Sequence, residues 1–337
     1  MRNLDRPRPA FLSSAMANPF FSVVITTYNR ARIVRRCLDS CLAQTWTDFE
    51  VIVVDDGSDD DTVAELETYS DPRLRVVVHE RNRGINPARF SGVNAARGEW
   101  VVVVDSDDEL IEGALARLRE LIETLPEGVR VLRSSQRHDD GRVTPAFVPD
   151  GPYGYEGRIR WAEAEGGEDA ARCLHRSVFA GTPYIDGRRG AQETLFELNL
   201  AEKETSVCVE DVLTLMHDEA PNSWLREASA ASLVPRLRRE APDMLWMAET
   251  TLTRHGEALE RYGPGQLVTV LRIASTQAFL LGQRRKGATY GLRALRRRPL
   301  DAAAWITLFL GLLGPRAVER GAVAYRLRAR RARSAAS

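Results

Sequence analysis

The chain predicts an α/β fold with a mostly parallel central sheet flanked by helices, followed by a helical C-terminal extension. Three observations carry this. Strand-like and helix-like stretches alternate from Phe20 to Asp105, the order that produces a parallel sheet through right-handed crossovers. The stretch Trp100 to Asp105, WVVVVD, is a β-branched run without polar alternation, as in strands buried on both faces. Carboxylates gather where strands end, in Asp55 to Asp61 and again at Asp105, Asp107 and Asp108. Open α/β sheets bind their ligands at that carboxyl edge.

Phe20 to Thr26 reads as the first strand, left through Thr27-Tyr28-Asn29-Arg30. Ile33, Val34, Cys37, Leu38, Cys41 and Leu42 recur at helical spacing, so a helix follows and ends near Gln44. Phe49 to Val54 is a second buried strand, running into the acidic turn that opens a short helix through Leu66. Arg73 to Val78 is a third strand. Pro87 suits a first helical turn, and Gly98 suits the end of that helix. Beyond Asp108, Leu115, Leu118, Leu121 and Ile122 mark a helix, and Val129 to Ser134 another strand. Gly141 to Gly157, with Tyr153 and Tyr155, reads as a surface loop. Leu195, Phe196, Leu198 and Leu200 fit a helix, Ser206 to Met216 a strand, and the pattern from Ala241 onward is helical.

Asp105 and Asp107 are two apart, so on an extended chain their side chains fall on the same side and can converge. Crowded carboxylates repel one another, and a hard divalent cation, Mg²⁺ or Mn²⁺, relieves that repulsion. The turn after the first strand lacks G-x-G-x-x-G and any P-loop, which excludes a plain dinucleotide-binding or P-loop protein. The acidic turn at Asp55 has contiguous aspartates and no glutamate at the twelfth position, a poor EF-hand.

The 337 residues are 44% hydrophobic and 28% charged, ordinary for a soluble globular protein. The zero net charge hides a polarity. From Gly282 to Ser337 there are 14 basic residues against Asp301 and Glu319, a net of +12, so the remainder carries −12. Ala302 to Gly314, AAAWITLFLGLLG, is apolar but too short to span a bilayer, and arginines flank it. Residues 282–337 therefore read as an interfacial contact with an anionic membrane surface, with nucleic acid not expected as a partner. Cys37, Cys41, Cys173 and Cys208 show no C-x-x-C pairing and read as reduced, which favours a cytoplasmic protein, peripheral at the inner face of the cell membrane. The first 19 residues lack an apolar core after their arginines and read as a flexible leader rather than a signal peptide.

Taken together, VVITTYNR, VIVVDDGSDDDT, NRGINPARFSGVNAARGEW and VVVVDSDDEL resemble the family 2 glycosyltransferases of the GT-A fold, over roughly Phe20 to Ser223. The resemblance implies a leader over 1–19, a nucleotide-sugar-binding catalytic domain over 20–223 and a helical region over 224–337. It implies that Thr26 and Tyr28 line the nucleobase pocket, that Asp56 accepts a hydrogen bond from the base, and that Arg89 lies against the nucleotide. Asp105 would contact the ribose or donor sugar, and Asp107 would bind the metal bridging the diphosphate. Asp105 and His217 would lie near enough to add ligands.

The resemblance further implies an inverting transfer in which a carboxylate deprotonates the acceptor hydroxyl. Two positions compete. QETLFELNLAEKETSVCVEDVLTLMH fits the family layout with Glu193 as base at a helix start, and Asp211, in the Glu210-Asp211 pair, is the alternative. The family has aspartate after another acid at the first position, so Gln192-Glu193 departs from it. The implied activity is transfer of a sugar from a nucleoside-diphosphate-sugar, a UDP-sugar first among donors, to a glycan or lipid-linked acceptor. The competing reading is a non-catalytic nucleotide-sugar-binding or scaffold protein of the same fold. A nucleotide-transferring enzyme is a poorer fit, because T-T-Y-N-R is not a Gly- and Lys/Arg-rich loop.

Overall fold

A computed structural model describes residues 18–165, 170–185, 187–188, 193–217 and 230–334. Most of the leader and Gln192 lie outside the described residues, as do the side chains of the tail beyond residue 324.

Four strands, β1 (Phe21–Thr27), β2 (Phe49–Asp55), β3 (Leu74–Val78) and β4 (Trp100–Asp105), alternate with three helices, α1 (Val34–Leu42), α2 (Thr62–Leu66) and α3 (Ile85–Ala95). The second half of the sheet is built from β5 (Glu109–Leu110), β6 (Val131–His138), β7 (Val143–Thr144), β8 (Ala171–His175) and β9 (Ser206–Met216). Between them run α4 (Ala114–Glu123), α5 (Tyr155–Glu165), α6 (Val178–Gly181) and α7 (Glu193–Lys203). The chain then becomes helical, as α8 (Ala230–Tyr262), α9 (Pro264–Leu280), α10 (Arg284–Arg297), α11 (Ala302–Leu313) and α12 (Pro315–Ser334).

The strand order is β3-β2-β1-β4-β8-β6-β9-β5, with β7 beside β6. Strands β1 to β4 are mutually parallel, β8 runs antiparallel to both β4 and β6, and β9 is parallel to β6. The parallel half has the alternation that the sequence predicts, with ends shifted by one or two residues. One face of the sheet packs Val23, Ile25, Val51 and Val102 against Cys37, Leu38 and Cys41 of α1 and Leu115 and Leu118 of α4. The other packs Val24, Ile52 and Val101 against Ala88 and Val93 of α3 and Phe196 and Leu200 of α7. All four cysteines are buried and free.

Several expectations are corrected. Helix α3 begins two residues before Pro87, capped by Gly84. Gly98 does not end that helix. It lies at the entry to β4, where a Cβ would come within 2.5 Å of the Ser22 amide nitrogen, so glycine is needed there for close approach of two backbones. The segment at Tyr153 is not a surface loop: Tyr153 is buried, bridges Ser206 of β9 and packs edge-on against Trp161 of α5. Tyr155 opens α5 instead of a loop tip.

The helical extension is packed onto the sheet domain. Ile159 of α5 and Leu198 of α7 share one core with Leu267 and Leu271 of α9, Leu295 of α10 and Leu308 of α11. Among the described residues no helix is long and apolar enough to cross a membrane.

Candidate active site

The carboxyl ends of β1, β2 and β4 gather the loops that carry the candidate residues. The loops after β1 and β2 brace each other. Asn29, at φ 54°, accepts from the Asp59 amide at 2.8 Å and donates its own amide to the Ser58 hydroxyl at 2.8 Å. Asn tolerates this left-handed conformation better than most residues. The Arg30 amide donates to Thr62 Oγ1 at 2.8 Å, and Asp55 accepts from the Ser58 amide at 2.9 Å. Thr26 is buried at the end of β1, and the Tyr28 hydroxyl donates to Asp59 at 3.3 Å, where burial and that carboxylate push its pKa up.

Asp56 is more engaged than the resemblance implies. Its carboxylate is buried and accepts from the Arg83 and Gly84 amides at 2.9 and 2.6 Å, with His79 Nδ1 at 2.8 Å. Asp56 thereby anchors the loop that leads into α3, and a nucleobase would have to share its oxygens.

After β4 the chain turns at once. The extended geometry that would align Asp105 with Asp107 stops at Asp105, because residues 106 and 107 form a turn closed by the Asp108 amide on the Asp105 carbonyl at 2.9 Å. The carboxylates crowd together through the turn instead. Burial, with Asp105 nearby, pushes the Asp107 carboxyl above its usual range. Burial, Asp105 and Asp107 push Asp108 up to about 8. Two arginines that the sequence reading did not single out face this turn. Arg36 donates to the Asp107 carbonyl at 2.8 Å and lies 3.3 Å from Glu109. Arg30 lies 3.9 Å from Asp107, and among the described residues its buried Nη1 has no hydrogen-bond partner.

Arg89 is the centre of the arrangement. Its side chain is 2% exposed, and it donates to Asp105 at 2.9 Å and to Glu193 at the first position of α7, whose side chains are 43% and 39% exposed. Burial alone would push the guanidinium down; the two carboxylates push it up instead. Arg172 on β8 lies 3.5 Å from Glu193 and donates to Glu197 at 3.2 Å. Glu197, one turn along α7, also accepts from Arg133 of β6 and has Arg158 at 3.6 Å. A ladder of alternating charge thus runs Asp105, Arg89, Glu193, Arg172, Glu197, Arg133. Arg89, with Arg172 behind it, holds Glu193 down at about 2.

The structure separates the two proposed bases. Asp211 lies in a bulge where the register of β6 on β9 jumps from Ser134 opposite Val209 to Ser135 opposite Val212. Its carboxylate accepts from Arg117 of α4 at 2.7 Å, an ion pair between elements. Glu193 is the one that meets Arg89.

His217 lies beside the acidic turn, with its amide 3.3 Å from Asp108, but both ring nitrogens face other carboxylates, Asp139 at 2.6 Å and Glu109 at 2.7 Å. Among the described residues no three His, Cys, Asp or Glu side chains are arranged to hold a metal ion. Asp105, Asp107 and His217 are therefore not a closed protein cage. The donor set still suits a hard cation that takes its remaining oxygens from a ligand. Three carboxylates are crowded at one turn, two of them pushed above their usual range by burial and by their neighbours' charge.

A cavity of about 480 Å³ adjoins Glu193 on the side of the helical extension. Its walls include Arg158 and Leu198 from the sheet domain and Met247, Gln266, Ile273 and Arg298 from the helices.

Residues 22–180 match the model of Glycosyl transferase family 2. Among curated relatives, the succinoglycan biosynthesis protein ExoO of Rhizobium meliloti is 44% identical over 129 residues, 38% of this chain and 37% of that protein. A PGL/p-HBAD biosynthesis glycosyltransferase of Mycobacterium tuberculosis is 39% identical over 111 residues, 32% of this chain and 43% of that protein. The chain thus spans well under half the length of these relatives. Among solved structures, S. aureus TarS 1-349 in complex with UDP-GlcNAc superposes with a TM-score of 0.55 at 18% identity, covering 89% of this chain and 92% of that one. The mannosyltransferase PcManGT of Pyrobaculum calidifontis, in complex with GDP-Man and Mn²⁺, gives 0.51 at 20% identity, covering 86% and 87%. The fold is that of these GT-A glycosyltransferases.

Proposed function

We propose that the chain is an inverting, metal-dependent glycosyltransferase that moves a sugar from a nucleoside-diphosphate-sugar to a hydroxyl of a cell-surface glycan or lipid-linked acceptor. The observation that carries this is the buried Arg89, bonded at once to Asp105 and to Glu193. One guanidinium fixes the spacing between a donor-side carboxylate and an acceptor-side one, and fixed spacing of reactants is a large part of catalysis by orientation. The alignment with family 2 over residues 22–180 supports the same reading.

In this reading Thr26, Tyr28 and Asp56 hold the nucleoside, and Arg30, with a buried N–H group unpartnered among the described residues, faces the diphosphate. Asp107 would hold a Mn²⁺ or Mg²⁺ ion, with Asp105 and His217 near it. When bound, that ion would neutralise the charge that builds on the leaving diphosphate. The donor is a UDP-sugar in the first instance; UDP-GlcNAc and GDP-Man in the complexes of the two neighbours keep both bases in view.

The Glu193 carboxylate, ionised at any physiological pH because Arg89 holds it near 2, accepts the acceptor hydroxyl proton as the new bond forms. A weak base suffices where the transition state is oxocarbenium-like and the proton becomes acidic late. The cavity beside Glu193 is the acceptor's place, and its helical wall gives residues 224–337 a part in acceptor choice. Residues 20–223 form the catalytic domain, and the protein works at the inner face of a membrane through residues 282–337.

Glu193→Gln tests this directly. Turnover of donor with acceptor should fall by a factor of about 10² to 10⁴, while donor affinity by calorimetry stays within twofold. A wild-type protein that binds donor yet transfers nothing to any acceptor, or a Glu193→Gln protein that keeps full turnover, contradicts it. The first of those outcomes favours the scaffold reading, for which the departure at Gln192-Glu193 speaks.

A further inference from the structure

The peripheral placement just proposed leaves open which surface meets the lipid. Helix α11 supplies one. It packs inward through Ala304, Leu308 and Gly311. A Cβ at Gly311 would come within 2.5 Å of the Phe279 ring of α9, and one at Gly291 of α10 within 2.6 Å of Leu308. Those glycine contacts lock the helix's rotation, and the locked rotation turns Trp305, Ile306, Phe309, Leu312 and Leu313 outward at 57 to 68% exposure. Their spacing puts all five within about a third of the helix circumference, one continuous apolar face. Soluble monomers rarely leave so many large side chains contiguous in water.

The surroundings say what covers it. Arg296 is exposed just before α11, Arg316 and Arg320 just after it. The two acidic residues of the region are spent internally: Asp301 accepts from the Ala304 amide at 2.9 Å, capping α11, and Glu319 accepts from Arg238 at 2.6 Å. An apolar face rimmed by arginines matches acyl chains below anionic headgroups. A second copy of the chain matches badly, because an isologous contact would bring the two arginine rims together. At 12 residues, about 18 Å of helix, α11 is too short to span a bilayer and lies in its plane.

We infer that the Trp305–Leu313 face of α11 inserts into the surface of an anionic phospholipid bilayer, with the neighbouring arginines on the headgroups. The inference shares only the membrane location with the proposed function, and its readout needs no donor, metal or acceptor.

The test is co-sedimentation of the full chain with phosphatidylcholine vesicles, with and without phosphatidylglycerol. The wild type binds the phosphatidylglycerol vesicles, and Phe309→Asp/Leu312→Asp binds them at least about tenfold more weakly with its thermal unfolding unchanged. Arg316→Glu/Arg320→Glu, which leaves the apolar face intact, loses preference for the anionic vesicles by about fivefold per charge. No vesicle binding by the wild type, or undiminished binding by both variants, overturns the inference. So does sedimentation equilibrium that finds a wild-type dimer which Phe309→Asp/Leu312→Asp dissolves, since the face would then meet a second copy.

Discussion

Arg89 is the residue on which the candidate site turns, because it is bonded to both Asp105 and Glu193. Arg172 backs it from behind at 3.5 Å. Removing that second arginine by Arg172→Gln takes away a charge that lowers the Glu193 pKa, so the pKa rises. With Glu193 as the proposed base, the acid limb of the kcat/KM profile therefore moves to higher pH, while the neutral plateau changes less; an unmoved limb would show that Arg172 does not act on a catalytic Glu193. Glu197 is the structural member of the same ladder, 4% exposed and held down at about 2 by Arg133, Arg172 and Arg158 in spite of burial. A carboxyl depressed in the folded state adds stability above its ordinary range near 4.5, and that contribution is lost as pH falls toward 2. Glu197→Gln leaves Arg133 buried without its counter-charge and should cost about 3 to 5 kcal/mol in urea unfolding at pH 7, with a flatter stability profile below pH 4.5. The family resemblance picks out Asp105, Arg89 and Glu193 one by one, and the structure bonds them to one another. Arg172 and Glu197 are not legible in this way. A lone arginine in a short strand and a glutamate among leucines carry no local sign that they will meet across the sheet.

Elements tell a parallel story. Strands β1, β2 and β4 are legible because each is a mostly apolar run between turn signals, and burial on both faces is what such runs mean, whereas β3, LRVVV at the sheet edge, is only partly buried. Strand β8 and helix α5 are not legible, since ARCLH and YEGRIRWAEAE have neither clean alternation nor a strong helical stripe, and only pairing with β4 and β6 makes β8 a strand. Gly98 shows how one residue can support two readings. As a helix stop it would tolerate alanine; as the point where β4 passes the Ser22 backbone it would not. Gly98→Ala should destabilise the fold by about 1 to 3 kcal/mol, measurable as a lower urea midpoint at unchanged m-value, and a neutral result would mean that the β1–β4 entry relaxes freely.

At the scale of the whole molecule, the helices after β9 are part of the core. Leu198 of the sheet domain and Leu271 of α9 are both buried in one cluster, so the two regions should unfold together. Leu271→Ala should cost about 2 to 5 kcal/mol and shift a single cooperative transition rather than split it; two separated transitions by calorimetry would contradict this. The charge polarity of +12 in residues 282–337 against −12 elsewhere was visible at once, but not that the apolar stretch would dock by one face and leave the other bare. That depends on Phe279 and Gly311 meeting across two helices.

In the proposed function, the crowded turn at Asp105 to Asp108 holds a nucleotide through a divalent cation. The direct measurement is thermal unfolding of wild type and Asp107→Asn with UDP, GDP, dTDP and CDP, each with and without Mn²⁺ or Mg²⁺. A ligand present at a hundredfold its Kd adds about 2.7 kcal/mol, several degrees for a chain of this size. At least one nucleotide should raise the melting temperature only when the ion is present, and only when Asp107 is intact. No stabilisation by any nucleotide, or stabilisation that survives both chelation and Asp107→Asn, would contradict it.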